Sequence, residues 1–458
     1  TVEVENFDDV VGTDFADSLA GDAGDNIIVG NGGDDTLVGS AGNDSLIGGL
    51  GTDTADYGDL GAAISFEQGG RVVKGAGGVL GTDQLGSFDP FEFIERVVAD
   101  PNFVNTLDNS GGSNISVEVD LDAGFVTATV ETPFSIGGTG FPAGTAFTVE
   151  VENFDDVVGT DFADSLTGDD GDNVIRGKSG DDTIVGGGGD DTLRGNLGND
   201  LLVAGLGNDL LDGGGDFNKV QGSIFTDTAD YSAFVGNVTL TPAGVVEKRA
   251  ADGTLLGIDQ LADIEVIDAS NGALENTIDG TGGTAVSFIV DLGADALTLD
   301  GLALIDPELT EDLVVRGFSN VTGTENADII VGNGGANVLN GGIGGDDLTG
   351  EAGSDTFAFD FTDLIADAAA PGIFTRVLDF EIDDQLSVEG ETTAMMLTAQ
   401  EAFNLAAADQ TVDGISFDLN EGVSEQIVLR ADGDDNGTIV ASEIFARLLI
   451  DESDFAMV

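Results

Sequence analysis

Aspartate recurs at the sixth place of nine-residue words that open with glycine. Carboxylates spaced in this way beside sharply turning backbone suit one kind of chemistry, the binding of a hard divalent cation such as Ca²⁺. The longest run reads GTDFADSLT (159–167), GDDGDNVIR (168–176), GKSGDDTIV (177–185), GGGGDDTLR (186–194), GNLGNDLLV (195–203) and AGLGNDLLD (204–212), with no slip of register. Five such words span 12–56, including GNGGDDTLV (30–38) and GSAGNDSLI (39–47). Four more span 323–358, including GGIGGDDLT (341–349) and GEAGSDTFA (350–358). Glycine at positions one and four is expected to permit positive φ and close backbone approach, which aims carbonyls at one point. The aliphatic residue at position eight is expected on a three-residue strand pointing inward, where it stacks on its neighbours. Two words then make one coil of eighteen residues.

The elements that position these residues must fold against a large charge. The 458 residues carry 87 acidic and 13 basic side chains, a formal net charge of −74, and self-repulsion of that size opposes compaction unless cations offset it. Nucleic acid and membrane insertion are not expected as partners, because the few Lys and Arg residues are scattered and no run of 18 apolar residues occurs. With 41% apolar residues regularly placed, the chain reads as folded rather than disordered. Cysteine and histidine are both absent. Disulfide staples, His-ligated zinc and Ser-His-Asp or Cys-His nucleophilic systems are therefore excluded.

The arrays sit inside larger repeats. TVEVENFDDVVGTDFADSL at 1–19 recurs unchanged at 148–166, and a looser third copy, LVVRGFSNVTGTENADII, occupies 313–330. Related spacers follow the first two arrays, TADYGDLGAAISF from Thr54 and TADYSAFVGNVTL from Thr228, and then LGTDQL (80–85) and LGIDQL (256–261). NTLDNSGGSNISVEVDL (105–121) matches NTIDGTGGTAVSFIVDL (276–292), with Ile115, Val117, Val119 and Leu121 alternating as in half-buried strands. Periodicity leaves open whether these spacers continue the solenoid or form small sandwiches; a continued coil is the favoured reading. Four regions follow: module one at 1–147, module two at 148–312, module three at 313–358 and a carboxy-terminal cap at 359–458.

The words resemble those of the RTX (repeats-in-toxin) family, whose pattern G-G-x-G-x-D-x-U-x forms a parallel β-roll with Ca²⁺ between successive turns. The resemblance implies an all-β protein of parallel β-roll arrays with β-rich spacers and a small mixed cap. It also implies that loops two words apart share an ion. One edge then carries Asp17, Asp35 and Asp53; Asp164, Asp182 and Asp200; and Asp328 and Asp346. The other carries Asn26 and Asp44; Asn173, Asp191 and Asp209; and Asn337 and Asp355. Asn departs from the pattern at the foot of each second ladder, where it keeps an oxygen ligand but not the charge. Counting neighbouring pairs gives three ions in the first array, four in the second and two in the third. Asp34, Asp181 and Asp190, at position five, are expected to face solvent. The alternative, a solenoid whose Asp residues make only turn hydrogen bonds, would stack unscreened carboxylates about 5 Å apart.

Beyond Phe359 the composition changes. TRVLDFEIDDQLSV (375–388) resembles the closing segment of RTX exoproteins, and TAQEAFNLAAAD (398–409) is expected to be a short helix capped by its Thr. A solenoid needs such a cap, since its last coil otherwise exposes an apolar face and an open edge. DGDDNGTIVASE (432–443) fits the EF-hand loop pattern, with Asp432, Asp434, Asn436, Thr438 and Glu443 as ligands of one further Ca²⁺, an incoming strand and an exiting helix in ASEIFARLLI. The end, Asp454 to Val458, resembles the uncleaved signal read by type I secretion machinery.

The resulting expectation is a secreted, calcium-binding structural protein of the bacterial cell surface, holding roughly ten Ca²⁺ and self-associating as an S-layer or filament subunit. An adhesin or biofilm-matrix protein is the second reading, and the carboxy-terminal part of a larger secreted toxin or hydrolase the third. No P-loop, nucleophile elbow or zinc motif is found, and the first array starts so near Thr1 that no catalytic domain is expected ahead of it.

Overall fold

The structure, a computed structural model, describes residues 9–86, 94–136, 139–214, 225–272, 275–281, 286–300, 312–360, 375–389, 394–407, 410–412, 415–419, 426–430 and 444–449. It forms two compact units, Thr1–Ala229 and Asp230–Val458. Both are built almost wholly of short strands that alternate between two sheets, as a chain that reverses every nine residues must be.

In the first unit the eighteen-residue period appears directly as strand pairing. Ile27–Gly32 pairs in parallel with Ser45–Leu50, setting Ile28 beside Leu46, and on the opposite sheet Thr36–Val38 sets Leu37 between Leu19 and Ala55. In the second array Leu166, Ile184 and Leu202 stack on one sheet and Ile175, Leu193 and Leu211 on the other. All the position-eight residues named except Leu19 have no exposed surface, or essentially none. Each contributes roughly 1.5–3 kcal/mol by burial, and a single such residue per nine makes a thin core.

The spacer continues this stack and is more than a continued coil. Gly81–Leu85 pairs in parallel with Ser45–Leu50, then meets Arg71–Lys74 and Ile64–Glu67 as an antiparallel meander. The parallel order resumes through Thr106–Asp108 and Asp156–Val158 into the second array. The opposite sheet holds a second meander, Ala146–Glu152, Phe125–Val130 and Ile115–Asp120, which hands over to Ser165–Thr167.

The second unit repeats the plan. Asn237–Leu240, Val245–Arg249 and Leu255–Ala262 form one meander, Ser287–Asp291, Ala296–Asp300 and Asp312–Arg316 the other. Parallel stacking follows through Asn320–Thr322, Val338–Asn340 and Thr356–Phe359, burying Leu339 and Phe357. The final coil is Gln385–Glu389 with Thr375–Val377.

The cap contains the expected helix, Ala399–Ala407. Thr398 and Glu401 close a reciprocal capping box: the Glu401 N–H donates to Thr398 Oγ1 (3.3 Å) and the Thr398 N–H to Glu401 Oε2 (2.9 Å). Ala399, Ala402 and Ala406 form its buried face. The helix expected in ASEIFARLLI is a strand instead. Ile444–Leu449 pairs antiparallel with Gln426–Arg430 and parallel with Thr375–Val377, so alternation of buried Ala446 and Leu448 prevails over helix propensity. The EF-hand-like residues Asp432, Asp434, Asn436, Thr438 and Glu443, and the tail at 454–458, lie outside the described residues.

Candidate calcium-binding ladders

The nonapeptide places glycine for two different reasons. From the third word of each array onward position four takes positive φ, as at Gly180 (φ 119°) and Gly198 (φ 140°), and a methyl on Gly198 would collide with the Gly180 carbonyl one coil earlier. Position one does not carry the positive φ expected of it; the left-handed residue is position two, filled by Asn31, Ser40, Lys178 and Asn196 as well as by glycine. Position one is glycine because of what faces it. A methyl on Gly159 would lie 2.6 Å from Asp164 Oδ2 and 2.6 Å from the Gly177 carbonyl oxygen of the next coil. A carboxylate oxygen and a carbonyl oxygen thus converge beside the one residue too small to separate them.

The position-six residues form the two ladders along each array. Each donates its main-chain N–H to the side-chain Oδ1 of the residue eighteen further on: Asp17 to Asp35 (2.8 Å), Asp35 to Asp53 (2.9 Å) and Asn26 to Asp44 (2.9 Å). Asp164 to Asp182, Asp182 to Asp200 and Asn173 to Asp191 are all 2.8 Å, and Asp191 to Asp209 is 2.9 Å. Asp328 to Asp346 (3.0 Å) and Asn337 to Asp355 (2.9 Å) complete the third array. All these residues are buried except Asp17, which is half-buried in the first coil.

One oxygen of the carboxylate is therefore used by the fold; the other is held by Thr13, Thr160 and Thr324 at Asp17, Asp164 and Asp328 in the first coil of each array, and is left over at six positions further along. Among the described residues, the buried Oδ2 atoms of Asp35, Asp53, Asp182, Asp191, Asp200 and Asp355 have no hydrogen-bond donor. Leaving a buried acceptor unsatisfied costs about 1–3 kcal/mol, and more when it is charged. The strain shows in the acidities. Burial, with the neighbouring Asp164 and Asp200 charges added, pushes the Asp182 carboxyl up to about 8. Burial lifts Asp191 to about 7, and Asp53, Asp164, Asp200 and Asp355 to about 6. Unpaired anionic oxygens facing backbone carbonyls fit a hard divalent cation, which supplies the missing positive charge and takes both kinds of oxygen. Among the described residues no three acidic side chains close on one point, so the remaining ligands must come from the turn carbonyls.

The ladders run further than the nonapeptides do. Asp44 donates its N–H to Asp83 (3.0 Å), Asp53 to Glu95 (2.7 Å), Asp200 to Asp227 (2.8 Å) and Asp355 to Asp384 (3.0 Å). Sequence reasoning missed these four because inserted segments break the spacing of eighteen. A signal was present all the same: Asp83, Asp259 and Asp384 each precede Gln-Leu, and Asp227 stands in TDTADY as Asp53 does. Asp34, Asp181 and Asp190 are exposed, and they also form an outer ladder, accepting the N–H groups of Thr52 (3.0 Å), Asn199 (2.9 Å) and Asn208 (2.8 Å).

Stacked carboxylates along both edges of a parallel β-roll define a class of repeat protein that holds cations between its coils. The family model described as RTX calcium-binding nonapeptide repeat (4 copies) matches residues 5–37, 29–59, 152–184, 185–220 and 322–357. The chain thus carries RTX calcium-binding repeats in several copies, and calcium is its partner. No curated protein matches the chain.

The inner and outer ladders separate in a simple test. Asp191→Ala removes an oxygen facing two successive coils and should abolish binding of at least one calcium ion, with a lower affinity for its neighbour. Asp190→Ala removes two exposed hydrogen bonds from Asn208, about 0.5–1.5 kcal/mol each, and should leave the calcium count unchanged. Titration calorimetry on both variants reads the difference; equal losses would show that the register is wrong.

Proposed function

We propose that this is a secreted, non-enzymatic structural protein that folds on extracellular Ca²⁺ and self-assembles at the bacterial cell surface as an S-layer or filament subunit. Its repeated architecture carries the reading: related spacers, each with a pair of three-stranded meanders, present the same arrangement of strands more than once along the chain. The lack of His and Cys supports a structural role over a catalytic one. Secretion is supported by the repeat family and by its logic, since low cytosolic calcium leaves the carboxylates repelling one another and millimolar external calcium relieves them. Among the described residues no helix is long and apolar enough to cross a membrane.

Assembly has its own electrostatic requirement. About ten divalent ions offset roughly 20 of the 74 net negative charges, so like-charged subunits still repel beyond the Debye length of about 8 Å. Further, weaker ions bridging surface carboxylates between subunits resolve this. Circular dichroism and light scattering followed through one calcium titration should show β structure forming first and particles growing at higher calcium. Coincident midpoints would remove the interfacial ions, and no scattering rise at any millimolar calcium would overturn the structural-subunit reading.

One observation favours an adhesin as the second reading. The first spacer holds a cavity of about 350 Å³ lined by Phe66, Leu107, Ile115, Val126, Phe147 and Val149, with Asn109 and Asn114 at hand for orientation. Persistent monomers in calcium that bind a small ligand there would support it.

A further inference from the structure

Among the described residues two basic side chains, Lys74 and Lys248, are wholly buried, in a chain of 87 acidic and 13 basic residues. Lys74 ends the strand Arg71–Lys74 and sends its ammonium into the roll. Nζ lies 2.8 Å from Asp44 Oδ2, 2.5 Å from Asp83 Oδ1 and 2.6 Å from the carbonyl oxygen of Ser40. Two carboxylates from successive coils and one turn carbonyl are the donor types that the array offers a divalent cation, and here they satisfy all three N–H groups of a lysine. Asp83 is held from its other side by the Tyr57 hydroxyl, which donates to Oδ2 at 3.0 Å.

The second unit has the same device. Lys248, in Val245–Arg249, lies 2.8 Å from Asp259 Oδ1, and the Tyr231 hydroxyl donates to Asp259 Oδ2 at 3.0 Å. Tyr57 and Tyr231 are the only tyrosines in the sequence. The third Asp-Gln-Leu site lacks the device. Asp384 takes the N–H groups of Asp355 and Glu381, no lysine follows Lys248 in the chain, and Asp355 keeps the unpaired Oδ2 that Asp44 does not have.

We propose that Lys74 is a tethered cation that occupies the terminal ladder position at Asp44–Asp83, excluding calcium there and closing that coil without it, and that Lys248 holds the Asp259 carboxylate in the same way. A covalently attached charge cannot be diluted or chelated, so part of the carboxylate charge here stays balanced at calcium levels that leave the other carboxylates unpaired. The coil held by Lys74 is thereby a place from which calcium-driven closure of the first array can spread. The inference rests on the calcium reading of the arrays, and its test separates the two.

The full-length chain is loaded with Ca²⁺, and bound ions are counted by native mass spectrometry for wild type, Lys74→Met, Asp83→Asn and Asp191→Asn. Lys74→Met should bind one ion more than wild type, Asp83→Asn the same number, and Asp191→Asn fewer. In a Tyr231→Phe background, Tyr57 fluorescence should respond to the last equivalent of calcium in Lys74→Met and not in its Lys74 parent. A folded Lys74→Met with the wild-type count overturns the plug, and so does the loss of an ion in Asp83→Asn, which remains readable if Lys74→Met fails to fold. An unchanged count in Asp191→Asn instead overturns the ligand assignment on which the inference stands.

Discussion

In excess EDTA at about pH 8.5, the β-sheet circular-dichroism signal of the arrays is expected to collapse, and millimolar Ca²⁺ to restore it. The core cannot hold the roll alone, because each nine-residue word adds at most one position-eight apolar side chain, worth about 1.5–3 kcal/mol. Against that small gain stand the unpaired Oδ2 atoms of Asp35, Asp53, Asp182, Asp191, Asp200 and Asp355, buried beside other carboxylates one coil away. No ligand site of this kind exists in the unfolded chain, so the free energy of calcium binding is free energy of folding. Mg²⁺ should restore the signal poorly, since it demands compact octahedral geometry and gives up its waters reluctantly. A β spectrum and melting temperature unchanged by EDTA would defeat the claim that calcium folds this protein.

The parts of this design legible in the sequence are those that repeat at a constant interval. Position eight and position six announce themselves because Leu193 or Asp182 has an equivalent nine or eighteen residues away on either side. What was illegible lies where the coil is interrupted. Asp44 finds its next partner 39 residues on and Asp53 finds Glu95 at 42, since a three-stranded meander is inserted into the coil between them. Lys74 was invisible for a related reason: a single lysine in a strand reads as solvated, and only the fold shows that it ends among Asp44, Asp83 and Ser40. Position two escaped notice because Asn, Ser and Lys there conceal a left-handed backbone that glycine would have advertised. The exiting helix failed because IFARLL has both helix-forming residues and strand alternation, and pairing with Gln426–Arg430 decides between them.

Without divalent cations, acid should do part of what calcium does. The buried ladder carboxyls titrate far above the 3.8 of a free Asp: Asp182 at about 8, Asp191 at about 7, and Asp164, Asp200 and Asp384 at about 6, each raised chiefly by burial. Between pH 4 and 8 the folded roll therefore binds more protons than the unfolded chain, and stability falls as pH rises through that window. The stabilisation is fully present below about pH 4 and is lost as each folded carboxyl ionises. In EDTA, the β signal should accordingly grow as the solution is taken from about pH 8.5 to pH 4. Asp182→Asn needs no proton to be neutral, so this variant should keep its calcium-free structure to higher pH than wild type. Calcium reverses the slope, because it binds the ionised ladder and protons compete with it. A melting series against pH, run once in EDTA and once in millimolar Ca²⁺, should give slopes of opposite sign. A calcium-free roll that became more stable from pH 4 to pH 8 would show that the ladder carboxylates are not the groups resisting closure.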